Sequence, residues 1–491
     1  MNIPNRIRDS RSLLGRGVRG GAWLMAGSTA EQGLRFVRNM ILARLLAPES
    51  FGLMAIVISV CSLFQVLTGL GIKESIIQSP RGAERTYLNG AWWLAMARGI
   101  VIYLVALFAA PWIAQFYDAS GLASLLNVAF ISVLAQAAMS ARAFVAVKQM
   151  RYPKWVMIQQ GGSLIGIATT LILAYWLKGV WALVIGYTTE GVMRCLISYL
   201  LCPFKPGLRF EKNDLRTLLR FSSGMFGLPI LMLIYTEGAI FAVGKLCTKE
   251  QLGIFAMALT LARIPSMFGN QLVDLLMPAF SEIQREPRRV NQGILKITTL
   301  AVLSGLPAAF LIAVYGRQVL SVVYGQRYAE GAMALSFLFV NELMLFCSVP
   351  MAAVYMAMGQ PSLLRRFSLI RTVVIVILTW PLITYWNIAG AAVVPLTGMV
   401  AAYGFQLARL RKVTSLNVRD YVHVWLRGLL ASLPWAVFWV FTGSFFRTMQ
   451  PAFGLVGVGI ATALIALVVT AAAYRITPLR EYFWPFARQT G

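Results

Sequence analysis

Charge is scarce in this chain, and acidic charge is the scarcest kind. Of its 491 residues only 13% are charged, with 18 acidic against 44 basic residues, whereas about a quarter of an ordinary soluble protein is charged. Hydrophobic residues make up 58% of the chain, and mean hydropathy is +0.71. Apolar runs of about 20 residues, long enough to cross a bilayer, recur from end to end. The composition excludes a water-soluble globular protein and predicts an all-α integral membrane protein.

Residues that bind metals or form disulfides are also scarce. The only histidine is His423, and no two of the five cysteines form a CxxC pair. The cysteines are Cys61, Cys195, Cys202, Cys247 and Cys347. Scattered single cysteines usually act as small apolar side chains that fill gaps in a core. The sequence therefore predicts no metal site, no disulfide framework and no organic cofactor.

Fourteen apolar spans are predicted along the chain. Prolines such as Pro48, Pro203 and Pro361 lie at the breaks, where they interrupt a helix. Tryptophans such as Trp112 and Trp176 lie near span ends, where their rings favour the headgroup layer. The predicted limits are 22–46, 51–71, 89–114, 122–146, 154–176, 179–201, 221–243, 251–276, 297–316, 331–357, 367–386, 388–408, 428–446 and 452–474.

The net charge of +26 is distributed unevenly over the segments between these spans. With the N-terminus in the cytoplasm, 31 lysines and arginines fall to the cytoplasmic segments and only six to the opposite ones. That asymmetry is what the positive-inside rule requires. An even number of spans then places both termini in the cytoplasm. The excess of positive charge reflects topology and contact with anionic membrane lipids rather than binding to nucleic acid.

A segment near the start of the chain is repeated about two hundred residues later. LARLLAPESFGLMAI (42–56) aligns with VGKLCTKEQLGIFAM (243–257), so that Gly52 meets Gly253. Six spans separate the copies, and an even number preserves the direction of the chain. The pattern predicts two parallel six-helix lobes around a central cavity, over 1–206 and 207–412, with two further helices in 413–491. Such repeats are typical of transporters that work by alternating access.

Arginine is unusually frequent inside the predicted spans. Glu31, Arg35 and Arg38 share one helix face at i, i+4 and i+7. Each charge costs about 2.5–3.5 kcal/mol to insert, so this face should avoid lipid tails. Either Glu31 and Arg35 neutralise each other, or the arginines bind an anionic substrate, because a guanidinium grips phosphate bidentately. The candidates for substrate binding are Arg35, Arg38, Arg98, Arg142 and Arg263.

Carboxylates inside the spans form a second set of candidates. They are Glu31, Glu237, Asp274 and Glu342. A lone carboxylate in a membrane can bind the H⁺ or Na⁺ that drives transport, or it can form a salt bridge to a facing arginine. The sequence leaves both possibilities open.

Four segments carry a resemblance to a known family. They are ILARLLAPESFGLMA (41–55), GLGIKESIIQ (69–78), LLMPAFSEIQ (275–284) and MAMGQPSLL (356–364). Their order and spacing resemble the polysaccharide transporter (flippase) branch of the multidrug/oligosaccharidyl-lipid/polysaccharide exporter superfamily, in particular exporters of the colanic-acid type. The resemblance covers residues 18 to about 410.

This resemblance implies a function. It implies a protein of the bacterial inner membrane, without enzymatic activity, that moves an undecaprenyl-diphosphate-linked oligosaccharide from the cytoplasmic to the periplasmic leaflet. The glycan would serve exopolysaccharide or O-antigen synthesis. The resemblance also implies a cationic lumen, which the five candidate arginines could supply, and partnership with the polysaccharide polymerase and export machinery.

Three other functions stay open at this point. A cation-coupled multidrug exporter of the same superfamily would favour twelve spans and a cavity of acids and aromatic rings. A lipid II flippase for cell-wall synthesis is a close relative, although the four quoted segments point away from it. A membrane glycosyltransferase or polymerase would need carboxylates or a base in a sizeable exposed loop, and the longest predicted outer loop runs only from Arg317 to Glu330.

Overall fold

Helices account for all the regular secondary structure in the described part of the protein. The computed structural model describes residues 27–69, 71–209, 211, 214, 216, 218 and 227–446, and these contain no β-strand. Nine helices among them are long and apolar enough to cross a membrane, or ten if one bent pair counts as a single span. The predicted all-α membrane class is confirmed. The total of fourteen spans stays a prediction, and the last of them, 452–474, lies outside the described residues.

Packing divides the chain into two compact units, Met1–Gly253 and Ile254–Gly491. The three-part division predicted from the sequence, with boundaries after residues 206 and 412, stays a prediction. Each unit is built from long apolar helices, as expected where every backbone polar group in the hydrocarbon layer must be satisfied within a helix.

Unit 1 is a bundle in which α7 packs on α8, α5 packs on α4 and α8, and α2 packs on α5 and α9. Its helices are α1 (27–45), α2 (Pro48–Gly69), α3 (Ile72–Gln78), α4 (Arg85–Phe116), α5 (Leu122–Ala137), α6 (Ala141–Lys148), α7 (Tyr152–Leu177), α8 (Val180–Leu201) and α9 (Gly227–Leu246). The helix α10 (Lys249–Ala262) begins at the end of this unit.

Unit 2 is organised around one buried helix, α13, which packs on its neighbours α11, α12 and α14. Its helices after α10 are α11 (Gly269–Glu282), α12 (Pro287–Val323), α13 (Ala332–Ala357), α14 (Pro361–Thr414) and α15 (Val418–Phe446), with 3₁₀ turns at Pro265–Phe268 and Gln326–Gly331. Leu343, Cys347 and Met351 of α13 are at most 1% exposed and belong to the core of this unit. The buried, reduced Cys347 acts as an apolar filler there.

Three breaks divide the apolar segments, and two of them fall inside predicted spans. The long helix α14 is broken at Asn387, where φ is 49° and ψ is −129°, and this residue is the one between the spans predicted at 367–386 and 388–408. The single span predicted at 122–146 is instead two helices, α5 and α6, bent by 55°. The span predicted at 251–276 divides at the 3₁₀ turn that begins at Pro265, because proline has no N–H to continue a helix.

The bend between α5 and α6 is stabilised by hydrogen bonds from one serine. The backbone N–H of Ser140 donates to Ser198 Oγ over 3.0 Å, and Ser140 Oγ donates to the carbonyl oxygen of Cys202 over 2.6 Å. The first bond satisfies a backbone N–H that a continuous helix would have paired internally, and the second ties the bend to the residue that follows α8. A hydrophobicity pattern carries no sign of them, which explains why the sequence predicts one uninterrupted span.

The two copies of the repeated segment touch each other within unit 1. A Cβ atom on Gly52 would overlap the carbonyl oxygen of Lys249, and a Cβ atom on Gly253 would overlap the carbonyl oxygen of Pro48. Pro48 aligns with Lys249 in the repeat just as Gly52 aligns with Gly253, so the contact is symmetric. Only glycine permits so close a backbone approach at the first turns of α2 and α10.

Candidate functional site

Small residues let α7 and α8 approach closely and place charged side chains between them. A Cβ atom on Gly166 of α7 would lie 2.6 Å from Cβ of Glu190 and 3.0 Å from the carbonyl oxygen of Gly186, both on α8. Ser163, one turn before Gly166, is 1% exposed. Small residues at helix contacts are the usual means of close packing in membranes. Here they bring the carboxylate of Glu190 next to the serine hydroxyl.

These two helices and α1 together build a charged network, formed by Glu31, Arg35, Ser163, Glu190 and Arg194. Arg35 Nη2 donates to Glu31 Oε1 over 2.9 Å and to Ser163 Oγ over 2.7 Å, and it also contacts Glu190 Oε1. Arg194 Nη2 lies 2.7 Å from Glu190 Oε1 and 3.4 Å from Glu31 Oε1. Ser163 Oγ lies within hydrogen-bond distance of both carboxylates, at 2.7 and 3.2 Å.

The charged network is electrically balanced and half-buried. Two guanidinium groups face two carboxylates, so their charges sum to zero. The side chain of Glu190 is only 8% exposed and that of Glu31 18%, while each arginine is 28% exposed. Buried charges of this kind are tolerated when they are paired and hydrogen-bonded. The ion pair between Glu31 and Arg35, which the sequence left open, is therefore present, and it involves three further residues, Ser163 on α7 and Glu190 and Arg194 on α8.

Arg38 is the cation that this network does not neutralise. It lies seven residues after Glu31 on α1, and its Nε and Nη2 donate to Asn39 Oδ1 over 3.2 and 2.9 Å. Among the described residues no carboxylate forms an ion pair with it. A guanidinium whose only direct partner is a neutral amide keeps its full charge and its capacity to bind an oxyanion. The charged network and Arg38 together thus carry one net positive charge, located at Arg38.

The other three candidate arginines belong to other elements of the chain. Arg98 is a half-buried residue of α4, and Arg142 is exposed and donates to the carbonyl oxygen of Pro203 over 3.1 Å. Arg263 follows α10 in unit 2, where its carbonyl oxygen accepts a bond from Ser266 Oγ over 3.0 Å. The role predicted for each of them in substrate binding stays a prediction.

The remaining candidate carboxylates lie in different surroundings. Glu237 of α9 accepts a hydrogen bond from Ser59 Oγ over 2.6 Å. Glu342 of α13 is 6% exposed and accepts a bond from Asn341 Nδ2 over 3.1 Å. The side chain of Asp274 lies outside the described part of the structure. Coupling to H⁺ or Na⁺ at any of these residues stays a prediction.

One buried charge escaped the sequence reasoning. Arg371 of α14 is 3% exposed, and its Nη2 donates to Asn341 Oδ1 over 3.3 Å. It thereby extends the polar group at Asn341 and Glu342 in the core of unit 2. The count of cytoplasmic charges grouped Arg371 with the segment between the tenth and eleventh spans. Its position inside the predicted span 367–386 was the signal that could have identified it.

A cavity of about 520 Å³ adjoins the charged network inside unit 1, a size in the usual range for small-molecule sites. Glu31 forms part of its wall, together with side chains from α3, α4, α5, α6 and α7. The bend between α5 and α6 opens it, because Met139 and Ala141 on either side of the bend both line the cavity. Its other lining side chains include three amides and three aromatic rings.

Comparisons with known proteins agree on one family. The chain is 23% identical over 367 residues to the lipopolysaccharide biosynthesis protein WzxC of Escherichia coli K12, covering 74% of each chain. It is 23% identical over 356 residues to the succinoglycan biosynthesis transport protein ExoT of Rhizobium meliloti, covering 72% of this chain and 71% of that protein.

A solved structure shares the fold over almost the whole chain. The lipid II flippase MurJ, in an inward-closed conformation, superposes with a TM-score of 0.74 at 11% identity, covering 92% of this chain and 98% of MurJ. The chain therefore has the fold of MurJ. The model of the family described as "Polysaccharide biosynthesis protein" matches residues 41–333, more than half of the sequence, and the chain belongs to that family.

Proposed function

We propose that this protein is a flippase that moves a polyprenyl-diphosphate-linked oligosaccharide from the cytoplasmic to the periplasmic leaflet of the bacterial inner membrane. The glycan is the repeat unit of an exopolysaccharide or O-antigen, and undecaprenol is its lipid carrier. Family membership supports this proposal, as do the names of WzxC and ExoT and the MurJ-like fold. Translocation follows alternating access of the two repeated halves.

The single observation that carries the proposal is the unneutralised Arg38 beside a balanced network. A lipid diphosphate is an anion that must leave the aqueous headgroup layer, and it needs a cation that remains charged in a membrane interior. Arg38 meets that requirement because a guanidinium stays charged when it is desolvated, and its charge is available to an anion because its hydrogen-bond partner is Asn39, a neutral amide. Arg35 is held by Glu31, Ser163 and Glu190, so its part is to balance the carboxylates and fix the geometry of α1.

Topology and partners complete the proposal. Both termini lie in the cytoplasm, as the distribution of lysine and arginine predicts, and the chain works beside the polymerase that joins the exported repeat units. Protons or sodium ions drive the cycle through a carboxylate of the candidate set, which includes Glu237 and Glu342. None of these steps requires enzymatic chemistry by the protein itself.

The proposal is tested with purified protein in liposomes that contain a fluorescent polyprenyl-diphosphate oligosaccharide. A membrane-impermeant lectin reports how much glycan lies in the outer leaflet. Wild-type protein should move the glycan between leaflets much faster than it moves in protein-free liposomes. With Arg38→Ala the glycan should move no faster than in protein-free liposomes. Arg289→Ala is the matched control, since Arg289 pairs with Glu286 and both side chains are exposed. An Arg38→Ala rate equal to wild type would contradict the assignment of the phosphate site.

A lipid II flippase is the second candidate, because the shared fold covers 98% of MurJ. The same liposomes loaded with lipid II distinguish the two functions. We expect the polysaccharide precursor to be moved faster than lipid II; the reverse order would favour cell-wall synthesis.

A further inference from the structure

The cavity next to the charged network has a chemistry of its own. Its wall contains two indole rings, Trp92 and Trp155, and three side-chain amides, Gln136, Gln159 and Gln160. We call it the amide–indole cavity. Flat aromatic faces beside convergent amides are the surroundings that suit a pyranose ring, whose C–H faces stack on aromatic rings and whose hydroxyls both donate and accept hydrogen bonds.

The aromatic part of the cavity is held in place by its neighbours. Trp92 Nε1 donates to the hydroxyl oxygen of Tyr199 over 2.9 Å, which fixes the indole plane. The ring of Trp155 lies 5.9 Å from that of Phe144, which also lines the cavity, and Lys73 Nζ lies 5.2 Å from the Trp155 centroid. Rings held by such contacts lose little entropy when a ligand stacks on them.

The polar part of the cavity has unused hydrogen-bonding capacity. Gln160 Oε1 is buried, and no described donor reaches it. A buried amide oxygen of this kind is uncommon, because nearly all buried polar atoms find a partner. Gln159 and Gln136 line the same space. A sugar hydroxyl in the cavity would supply the missing donor to Gln160.

The charge of the cavity points to a neutral ligand. Its wall holds one cation, Lys73, and two carboxylates, Glu31 and Glu74, and Glu31 is already paired within the charged network. The wall thus offers no excess of positive charge for a diphosphate. The three amides, Lys73 and Glu74 also disfavour an acyl chain, because an acyl chain offers them no hydrogen bond.

We propose that the amide–indole cavity binds sugar rings of the transported glycan, separately from the phosphate site at Arg38. The assignment of its ligand to a lipid-linked glycan rests on the proposed function. Seven residues of helix separate Glu31 from Arg38, about 10 Å along α1. The diphosphate and the sugars attached to it would therefore contact different parts of α1, so the cavity selects the glycan while Arg38 holds the anion.

The test uses the full-length protein in nanodiscs and saturation-transfer NMR. The probes are cellobiose, lactose and N,N′-diacetylchitobiose, with sorbitol as a non-cyclic polyol and sodium pyrophosphate as competitor. At least one disaccharide should receive saturation at its ring C–H protons, sorbitol should receive none, and pyrophosphate should not displace the sugar. Signal for no disaccharide above sorbitol, or displacement by pyrophosphate, would overturn the inference.

Matched variants locate the binding. Trp155→Ala should abolish the sugar signal, while Trp176→Ala, on the same helix but 77% exposed, should leave it unchanged. Gln160→Leu should weaken sugar binding about tenfold, the effect of losing one buried hydrogen-bond partner, and the exposed Gln149→Leu should not. Trp155→Phe keeps a ring and should retain binding, which separates loss of stacking from loss of fold. Unaltered binding in both Trp155→Ala and Gln160→Leu would place the sugar elsewhere.

The outcomes separate this inference from the proposed function. Disaccharide binding in a protein that fails to move the lipid-linked precursor would leave the sugar site standing and reject the flippase. Transport of the precursor by a protein that binds no disaccharide would support the flippase and reject the sugar site.

Discussion

Replacing Glu190 with glutamine tests whether the charged network is a cooperative unit of the fold. Oε1 of this 8%-exposed carboxylate contacts Arg35, Arg194 and Ser163. Glutamine keeps the shape and one acceptor but removes the charge, which leaves two guanidinium groups facing the single carboxylate of Glu31. Breaking a buried ion pair by removing one partner costs about 3–5 kcal/mol. Because both arginines are 28% exposed, we expect Glu190→Gln to lower the free energy of unfolding by about 3 kcal/mol, the lower end of that range.

The assay is unfolding of the purified protein in mixed detergent micelles, followed by circular dichroism. Arg194→Gln alone should lower the free energy of unfolding by a similar amount, because it leaves two carboxylates with one guanidinium. The double variant Glu190→Gln/Arg194→Gln retains the balanced pair of Glu31 and Arg35. Its loss of unfolding free energy should therefore be smaller than the sum of the two single losses by at least about 1.5 kcal/mol. That difference lies within the range of coupling energies between residues in contact.

The matched control is Glu84→Gln, which removes a carboxylate from an exposed pair with Arg81, where the side chains are 51% and 42% exposed. Exposed pairs contribute less than about 1 kcal/mol. If Glu190→Gln destabilised the protein no more than Glu84→Gln, or if the double variant showed no coupling, the network would not stabilise unit 1 and this account of α1, α7 and α8 would be wrong.

Three further predictions concern other parts of the chain. Gly52→Val should destabilise the protein by about 2 kcal/mol, since the side chain would overlap the backbone of α10, whereas Gly33→Val, with open space around its Cβ, should match wild type in the same unfolding assay. In cells, Arg38→Ala should stop glycan export at normal membrane levels of protein, and Arg38→Lys should retain part of it because the charge remains without the bidentate fork; full export by Arg38→Ala would contradict the phosphate site. Reporter fusions after residues 80, 208 and 286 should all read cytoplasmic, and a periplasmic signal from any of them would invalidate the predicted orientation.

Local periodicity and composition predicted the parts of this protein that depend on one helix at a time. The shared face of Glu31, Arg35 and Arg38 follows from 3.6 residues per turn. The break at Asn387 falls between two predicted spans because the apolar pattern pauses there. The repeated glycines were also visible in the sequence, although their mutual contact was not.

The rest depends on which helices pack together. Glu190 lies 155 residues from Arg35 along the chain and becomes its partner only because glycines on α7 and α8 let these helices approach. The amide–indole cavity likewise combines rings and amides from helices far apart in sequence. Arg371 was overlooked for a different reason, since a count of basic residues by segment cannot distinguish a buried arginine from one at the membrane surface.

The most direct test of the central claim is to deplete this protein from its host and measure the leaflet in which the lipid-linked oligosaccharide accumulates. Spheroplasts and inverted membrane vesicles, each probed with an impermeant lectin, report the periplasmic and cytoplasmic leaflets separately. The account predicts that the precursor accumulates in the cytoplasmic leaflet and that the wild-type chain, but not Arg38→Ala, restores it to the periplasmic side. An unchanged distribution between the leaflets after depletion would contradict it.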